Sequence, residues 1–253
     1  MNAKQRPTFP VQLKPIVAAA KTKAASVPAS LPQGLGMDSS AVRLRMVQKI
    51  AAQGVTDSQV LAAMESVQRH RFVDSALANQ AYEDTSLPIG LGQTISKPGV
   101  VSRMAELLRN GCVGKLGRVL EIGTGCGYQA AVLSLLAEEV YSIERLRGLH
   151  DKARENLRHM RLANLHLLFG DGMQGYAKGA PYAAIIAAAG GEAVPQTWVE
   201  QLAVGGRLVA PIVVGTGAGG SAQALLVLDK TPQGVRQTIL EAVHFVPLKS
   251  GVA

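Results

Sequence analysis

The chain reads as one α/β domain built on a doubly wound, mostly parallel, Rossmann-like sheet, with a helical subregion ahead of it. Three observations carry that reading. From Gly117 onward, short apolar runs alternate with helical patterns, as βαβ units require. The first strand–helix junction holds a glycine turn, Gly123-Thr124-Gly125-Cys126-Gly127. The 253 residues are 47% hydrophobic and 17% charged, enough for a sizeable core and against a globally disordered chain. No apolar run reaches the roughly 18 residues that span a bilayer.

Residues 1–37 hold five of the twelve prolines. They also carry five of the eight net positive charges, from Lys4, Arg6, Lys14, Lys21 and Lys23, and no acid. Prolines at this density break helices and strands, and few large apolar side chains offset the cost of ordering. A disordered basic arm is expected there, with an organelle transit peptide or a polyanion-binding arm as alternatives. The apolar stretch at Ile16–Ala20 is too short for a secretory signal. Residues 38–253 form the single domain: a helical substrate-side subregion to residue 115, then the cofactor-binding core. Two cysteines, Cys112 and Cys126, make neither a disulfide framework nor a zinc site by themselves. A reduced, cytoplasmic setting follows.

Within the domain, Asp38–Ser40 caps a helix to about Gln53, stopped by Gly54. Thr56-Asp57-Ser58-Gln59 reads as a capping box opening a second helix to Val67. A short amphipathic piece follows at 72–81. Leu87–Pro98 is punctuated by Gly and Pro yet rich in hydroxyl and amide groups. A helix from Pro98 to about Asn110 sets Ser96 at its N-terminus. Strands are expected at 118–122, 140–143, 165–169, 183–188, 207–213, 224–228 and 235–246. Helices are expected at 128–137, 146–162 and 194–202. Crossovers are right-handed. Ligands bind beyond the carboxyl ends of such strands, which gathers the glycine turn, Glu144 and Asp171 around one crevice.

The glycines let a ligand approach the backbone closely. Their spacing is G-x-G-x-G, and Tyr128 stands where a dinucleotide fingerprint needs its third glycine. That disfavours a nicotinamide dehydrogenase. Glu121 before the turn repels a pyrophosphate and suits a ligand with an ammonium group, such as S-adenosylmethionine. Glu144, at the end of the next strand, can accept hydrogen bonds from ribose hydroxyls. Asp171, in Gly170-Asp171-Gly172, can accept from an adenine amine. The candidate cofactor residues are therefore Glu121, Gly123, Thr124, Gly125, Tyr128, Glu144, Asp171 and Gly172.

Four stretches resemble the protein-L-isoaspartate (D-aspartate) O-methyltransferase family: Arg71-Phe72-Val73, Leu87–Pro98, Val119–Gln129 and Gly170-Asp171-Gly172. Gly205–Pro211 and Val243–Leu248 look similar to it as well. The resemblance runs from about residue 40 to 253 and excludes the arm. The glycine turn is common to many methyltransferases; Gly92-Gln93-Thr94-Ile95-Ser96 with Pro98 is the specific part. Three positions depart from the family pattern: Ala183 in place of Asp, Gly99 in place of Tyr or His, and the loop Ala187–Glu192.

The resemblance implies methyl esterification of the free α-carboxylate of L-isoaspartyl or D-aspartyl residues in damaged proteins, with S-adenosylmethionine as donor. It places Ser96 beside the transferred methyl, with Thr94 as its companion. The chemistry agrees. An α-carboxyl ionises at about pH 3.3–3.7, so at neutral pH the nucleophile needs no base. No His, Cys or Lys sits in a catalytic constellation, and the five histidines have no metal spacing. Positioning and exclusion of water should supply the rate. The product ester would cyclise to a succinimide off the enzyme. The partners implied are isoaspartyl proteins and peptides, with no membrane, no nucleic acid beyond a nonspecific arm, and a monomeric enzyme. The alternative is a cofactor-binding relative with another acceptor or with lost activity.

Overall fold

A computed structural model describes residues 40–217 and 220–253. The proposed arm, and Asp38 in the first helix cap, lie outside the described residues. Helix α1 (Ser40–Ala52) and helix α2 (Ser58–Ser66) come first, separated by Gly54 at φ +105°. The residue capping α2 is Asp57, not Thr56: its carboxylate accepts from the Gln59 and Val60 amides. Thr56 instead donates, through its amide and hydroxyl, to Glu106. The expected capping box is therefore an Asp cap shifted by one residue. The amphipathic piece at 72–81 forms two short 3-10 turns, Arg69–Phe72 and Ser75–Gln80.

The Leu87–Pro98 segment folds as a small antiparallel hairpin, β1 (Leu87–Gly90) and β2 (Gln93–Ile95). Its tip runs Gly90-Leu91-Gly92, all three at positive φ. Helix α3 (Pro98–Arg109) follows and ends in a left-handed Asn110.

Seven strands form the main sheet: β3 (Leu116–Ile122), β4 (Ala137–Glu144), β5 (Leu165–Phe169), β6 (Tyr182–Ala187), β7 (Leu202–Gly217), β8 (Gly220–Thr231) and β9 (Gly234–Val243). Their order is β5-β4-β3-β6-β7-β8-β9. The first five are parallel, and β8 and β9 run antiparallel at one edge. Helices α4 (Tyr128–Leu136), α5 (Arg147–Leu157) and α6 (Gln196–Gln201) occupy the crossovers. Helix α5 stops short of the expected Leu162: a 3-10 turn at Arg158–Met160 leads into Arg161 at φ +48°.

The centre of the sheet explains its sequence. On one face of β3, Val119 packs with Met104, Leu108 and Leu133. On the other, Leu120 and Ile122 pack with Tyr182 and Trp198. A strand covered on both faces reads as a continuous apolar run rather than an alternation. Each such side chain contributes roughly 1.5–3 kcal/mol on burial. Strand order reverses direction at β3: β4 lies on one side and β6 on the other. That switch point puts the glycine turn in the crevice.

Candidate active site

The turn after β3 is held open by backbone shape. Gly123, Gly125 and Gly127 have φ of +91°, +58° and +92°. Side chains there would be strained, and a Cβ on Gly127 would stand 2.7 Å from Leu157 Cδ1. Gly123 N donates to Ile143 O, so the turn is tied to the end of β4. A cavity opens beside it. Its walls include Thr94, Ser96, Gly123, Thr124, Gly125, Tyr128, Glu144 and Gly172.

Glu144 is nearly buried, and its carboxylate serves the turn directly. Oε2 accepts from Gly125 N at 2.9 Å and Oε1 from Leu146 N at 2.9 Å. Each carboxylate oxygen has a further lone pair for a ribose hydroxyl. Gly172 reaches the cavity because it lacks a side chain: a Cβ would lie 2.6 Å from Ile122 Cγ2. Tyr128 is buried with its ring edge-on to Phe72 and beneath the Arg69 guanidinium, 4.9 Å from the ring centroid. Burial pushes its phenol up to about 12, and the neighbouring Cys126 thiol up to about 11. A thiol so protonated is a packing group, not a nucleophile.

Two expected cofactor residues do not line this cavity. Glu121 is fully buried beneath the turn. Ser142 Oγ donates to its Oε2 at 2.5 Å, and Ser142 also shares a 2.6 Å hydrogen bond with Thr124 Oγ1. The acid thus reaches the wall only through Ser142 and Thr124. Asp171 lies outside as well. Its Oδ1 accepts from Met173 N and its Oδ2 from Gly251 N. The carboxylate anchors the C-terminal segment, which sequence spacing gave no means of foreseeing.

That segment was the missed part of the site. Val246, Pro247, Leu248 and Lys249 line the cavity. Gly190 N donates to Val246 O and Leu248 N to Gly190 O, both at 2.8 Å. Further on, Arg145 Nε donates to Gly251 O, Ala253 N to Arg145 O and Arg147 N to Ala253 O. The tail therefore crosses from the end of β6 to the ends of β5 and β4, over the cleft. Gly190 belongs to the loop that departs from the family pattern. A Cβ there would meet the Gln223 side chain at 2.8 Å, and Gln223 in turn clamps the Phe245 backbone. The loop's glycines make room for the tail. Ala183 sits at the other end of β6, away from the cavity.

Ser96 stands at the junction of this cavity with a groove lined by Asp84, Lys97, Gly99, Arg103 and Glu241. It does not cap α3: Lys97 is the cap residue, with no side-chain bond. Asp84 takes that role from a distance, its Oδ1 accepting from Gly99 N at 2.8 Å. A Cβ at 99 would lie 2.9 Å from that oxygen, so a side chain there would push the Asp84 carboxylate aside. The Val100 and Val101 amides are bonded to Lys97 O, and Pro98 has none. The N-terminal amides of α3 are thus already satisfied, while the Ser96 hydroxyl is left for another partner.

Among the described residues no group of three or more His, Cys, Asp or Glu side chains is arranged to hold a metal. The described residues also include no helix long and apolar enough to cross a membrane.

The family model for protein-L-isoaspartate(D-aspartate) O-methyltransferase (PCMT) matches residues 42–253. The chain belongs to this family. A protein-L-isoaspartate O-methyltransferase of Methylibium petroleiphilum is 54% identical over 270 residues, covering 99% of both chains. One from Leptothrix cholodnii is 60% identical over 222 residues, 87% of this chain and 77% of its own. Among solved structures, a protein-L-isoaspartate O-methyltransferase aligns with a TM-score of 0.73 at 27% identity, over 83% of this chain and 67% of its own. A Plasmodium falciparum structure crystallised with S-adenosyl-L-homocysteine aligns with a TM-score of 0.68 at 23% identity, over 82% and 98%, and shares the fold.

Proposed function

We propose that this chain methylates the α-carboxylate of L-isoaspartyl and D-aspartyl residues in damaged proteins, using S-adenosylmethionine, and so initiates their repair through a succinimide. The observation that carries the reading is the junction at Ser96. A cleft walled by the glycine turn and Glu144 on one side meets, at Ser96, a groove lined by Asp84, Gly99, Arg103 and Glu241 on the other. Family membership supports the same assignment.

The residues fit the donor. The backbone-lined turn would hold the methionine portion, Glu144 the ribose hydroxyls, and the Gly172 backbone the adenine. When bound, S-adenosylmethionine supplies an electrophilic methyl group on a sulfonium. Thr94 and Ser96 orient the attacking carboxylate by hydrogen bonds. The roof formed by Val246–Leu248 excludes water, so less of the carboxylate's hydration shell survives. No proton is taken from the nucleophile, which arrives ionised. The enzyme's contribution is alignment of oxygen, carbon and sulfur, an effect worth several kcal/mol. Both cysteines are free thiols, in keeping with our proposal of a cytoplasmic setting; we further propose that the enzyme acts as a monomer.

The test is transfer of labelled methyl from S-adenosylmethionine to an isoaspartyl peptide, with its normal aspartyl twin as control. Methylation of the isoaspartyl peptide alone is expected. Equal labelling of both, or of neither, rejects the reading. The chemical step should also be nearly flat between about pH 5.5 and 8. A bell-shaped profile with an essential base near neutrality overturns the base-free mechanism.

A further inference from the structure

The acceptor brings a negative charge into this cleft, and the helix end beside Ser96 does not answer it. The amides of Gly99, Val100 and Val101 are already bonded, the first of them to the Asp84 carboxylate. Glu144 adds a second negative charge on the cavity wall. Ser96 and Thr94 can orient an anion but carry no charge. The cations on the same wall are Arg145 and Lys249. Arg145 is engaged by the tail, its Nε donating to Gly251 O. Lys249 is exposed and, among the described residues, has no hydrogen bond or ion pair. Its backbone is nevertheless fixed. Leu248 N is bonded to Gly190 O immediately before it, and Gly251 N to Asp171 just after it.

We propose that Lys249 is a positioning residue for the acceptor: its ammonium, carried on the tied-down tail, draws the isoaspartyl α-carboxylate into the cleft toward Ser96. This rests on the carboxyl-methyltransferase reading above. The tail thereby has two jobs, a roof of Val246–Leu248 and a charged lip at Lys249. The contact at the rim is kept from capture through the transition state, so its loss changes KM and not kcat. A lysine suits this better than a buried arginine. Its flexible four-carbon stem lets the charge follow the carboxylate without locking it in a bidentate grip.

The test compares wild type, Lys249→Gln and Lys249→Arg with an isoaspartyl peptide at saturating S-adenosylmethionine. In Lys249→Gln the KM for peptide should rise roughly five-fold, the upper end for a solvent-accessible ion pair, with kcat unchanged. Lys249→Arg should restore most of the loss. Wild-type KM should climb with added salt, whereas the KM of Lys249→Gln should be nearly salt-independent. Calorimetry with S-adenosylhomocysteine should give the same affinity for all three proteins. An unchanged peptide KM in Lys249→Gln overturns the proposal. So does a loss confined to S-adenosylhomocysteine affinity, which assigns Lys249 to the donor's own carboxylate. So does a KM defect that appears in Lys97→Gln instead, which moves the charge to the groove side of Ser96. Failure of the wild type to methylate the peptide at all counts against the proposed function, not against Lys249.

Discussion

Replacing Glu121 by Gln should make the protein's stability less sensitive to alkali. The carboxylate is fully buried at the end of β3. Burial pushes its pKa up from 4.5 to about 8, and Glu144 adds repulsion, while Ser142 and Gln129 pull the other way. Between those values the folded protein holds a proton that the unfolded chain has released. Stability therefore falls as pH rises from about 4.5 to about 8, and levels off above that. Each unit is worth 1.36 kcal/mol, so the full penalty is about 5 kcal/mol as an upper bound. The amide of Glu121→Gln never ionises and escapes it. Urea unfolding at about pH 5.5, 7 and 8.5 reads the effect. The difference between variant and wild type should move in the variant's favour by about 3 kcal/mol across that range, with histidines and other titrating groups cancelling in the comparison. Parallel pH dependences for the two proteins would refute the argument and show that Glu121 titrates normally. A variant that loses ground as pH rises would refute it too.

Ser96→Ala should lower turnover roughly ten- to hundred-fold, the worth of a hydrogen bond to a charged group, with little change in S-adenosylhomocysteine affinity; unchanged turnover removes Ser96 from the site. Glu144→Ala should weaken S-adenosylhomocysteine binding by about a hundred-fold in calorimetry, because it loses ribose contacts and unties Gly125 N together. Gly127→Ala should cost about 2–4 kcal/mol in chemical denaturation, from left-handed strain at φ +92° and crowding against Leu157. A variant within 0.5 kcal/mol of wild type, about the limit for innocuous surface changes, shows that the turn can relax.

The elements that sequence predicted best are those whose local pattern and tertiary setting agree. Strand β5 spans the expected residues 165–169, and α4 starts at Tyr128 directly after the glycine turn. Both are short, apolar and bounded by clear stops. The hairpin at Leu87–Ile95 was not legible as strand, because β2 is three residues long and its tip needs three successive positive φ values, one at Leu91. The place of Glu144 on the cavity wall was legible because its distance from the glycines reflects a fixed βα geometry. The bond from Gly251 N to Asp171 Oδ2 was not, because it joins segments 80 residues apart. Glu121 was assigned to the cavity since it adjoins the turn, yet the last residues of a strand alternate sides. Its hydrogen-bond partner, Ser142, lies opposite it on β4.

Asp84 shows how the two halves of the site impose different physics. A methyltransferase whose nucleophile is already an anion gains nothing from binding that anion as tightly as possible. Strong grip on the ground state raises the barrier unless the transition state is gripped equally. In the transition state the carboxylate's charge is shrinking, so a full helix end or a bidentate arginine would favour the wrong state. By occupying Gly99 N, Asp84 removes a helix-end backbone donor from the neighbourhood of Ser96. In our proposal what is left is a hydroxyl pair, to orient the oxygen with modest energy, and a lysine at the rim, to concentrate substrate without clamping it. The donor half has the opposite requirement. Ribose and adenine do not react, so strong contacts at Glu144 and Gly172 can hold them without retarding the chemistry. The glycine at 99 has a local reason: it lets the capping charge of α3 come from Asp84, whose Oδ1 accepts from its amide.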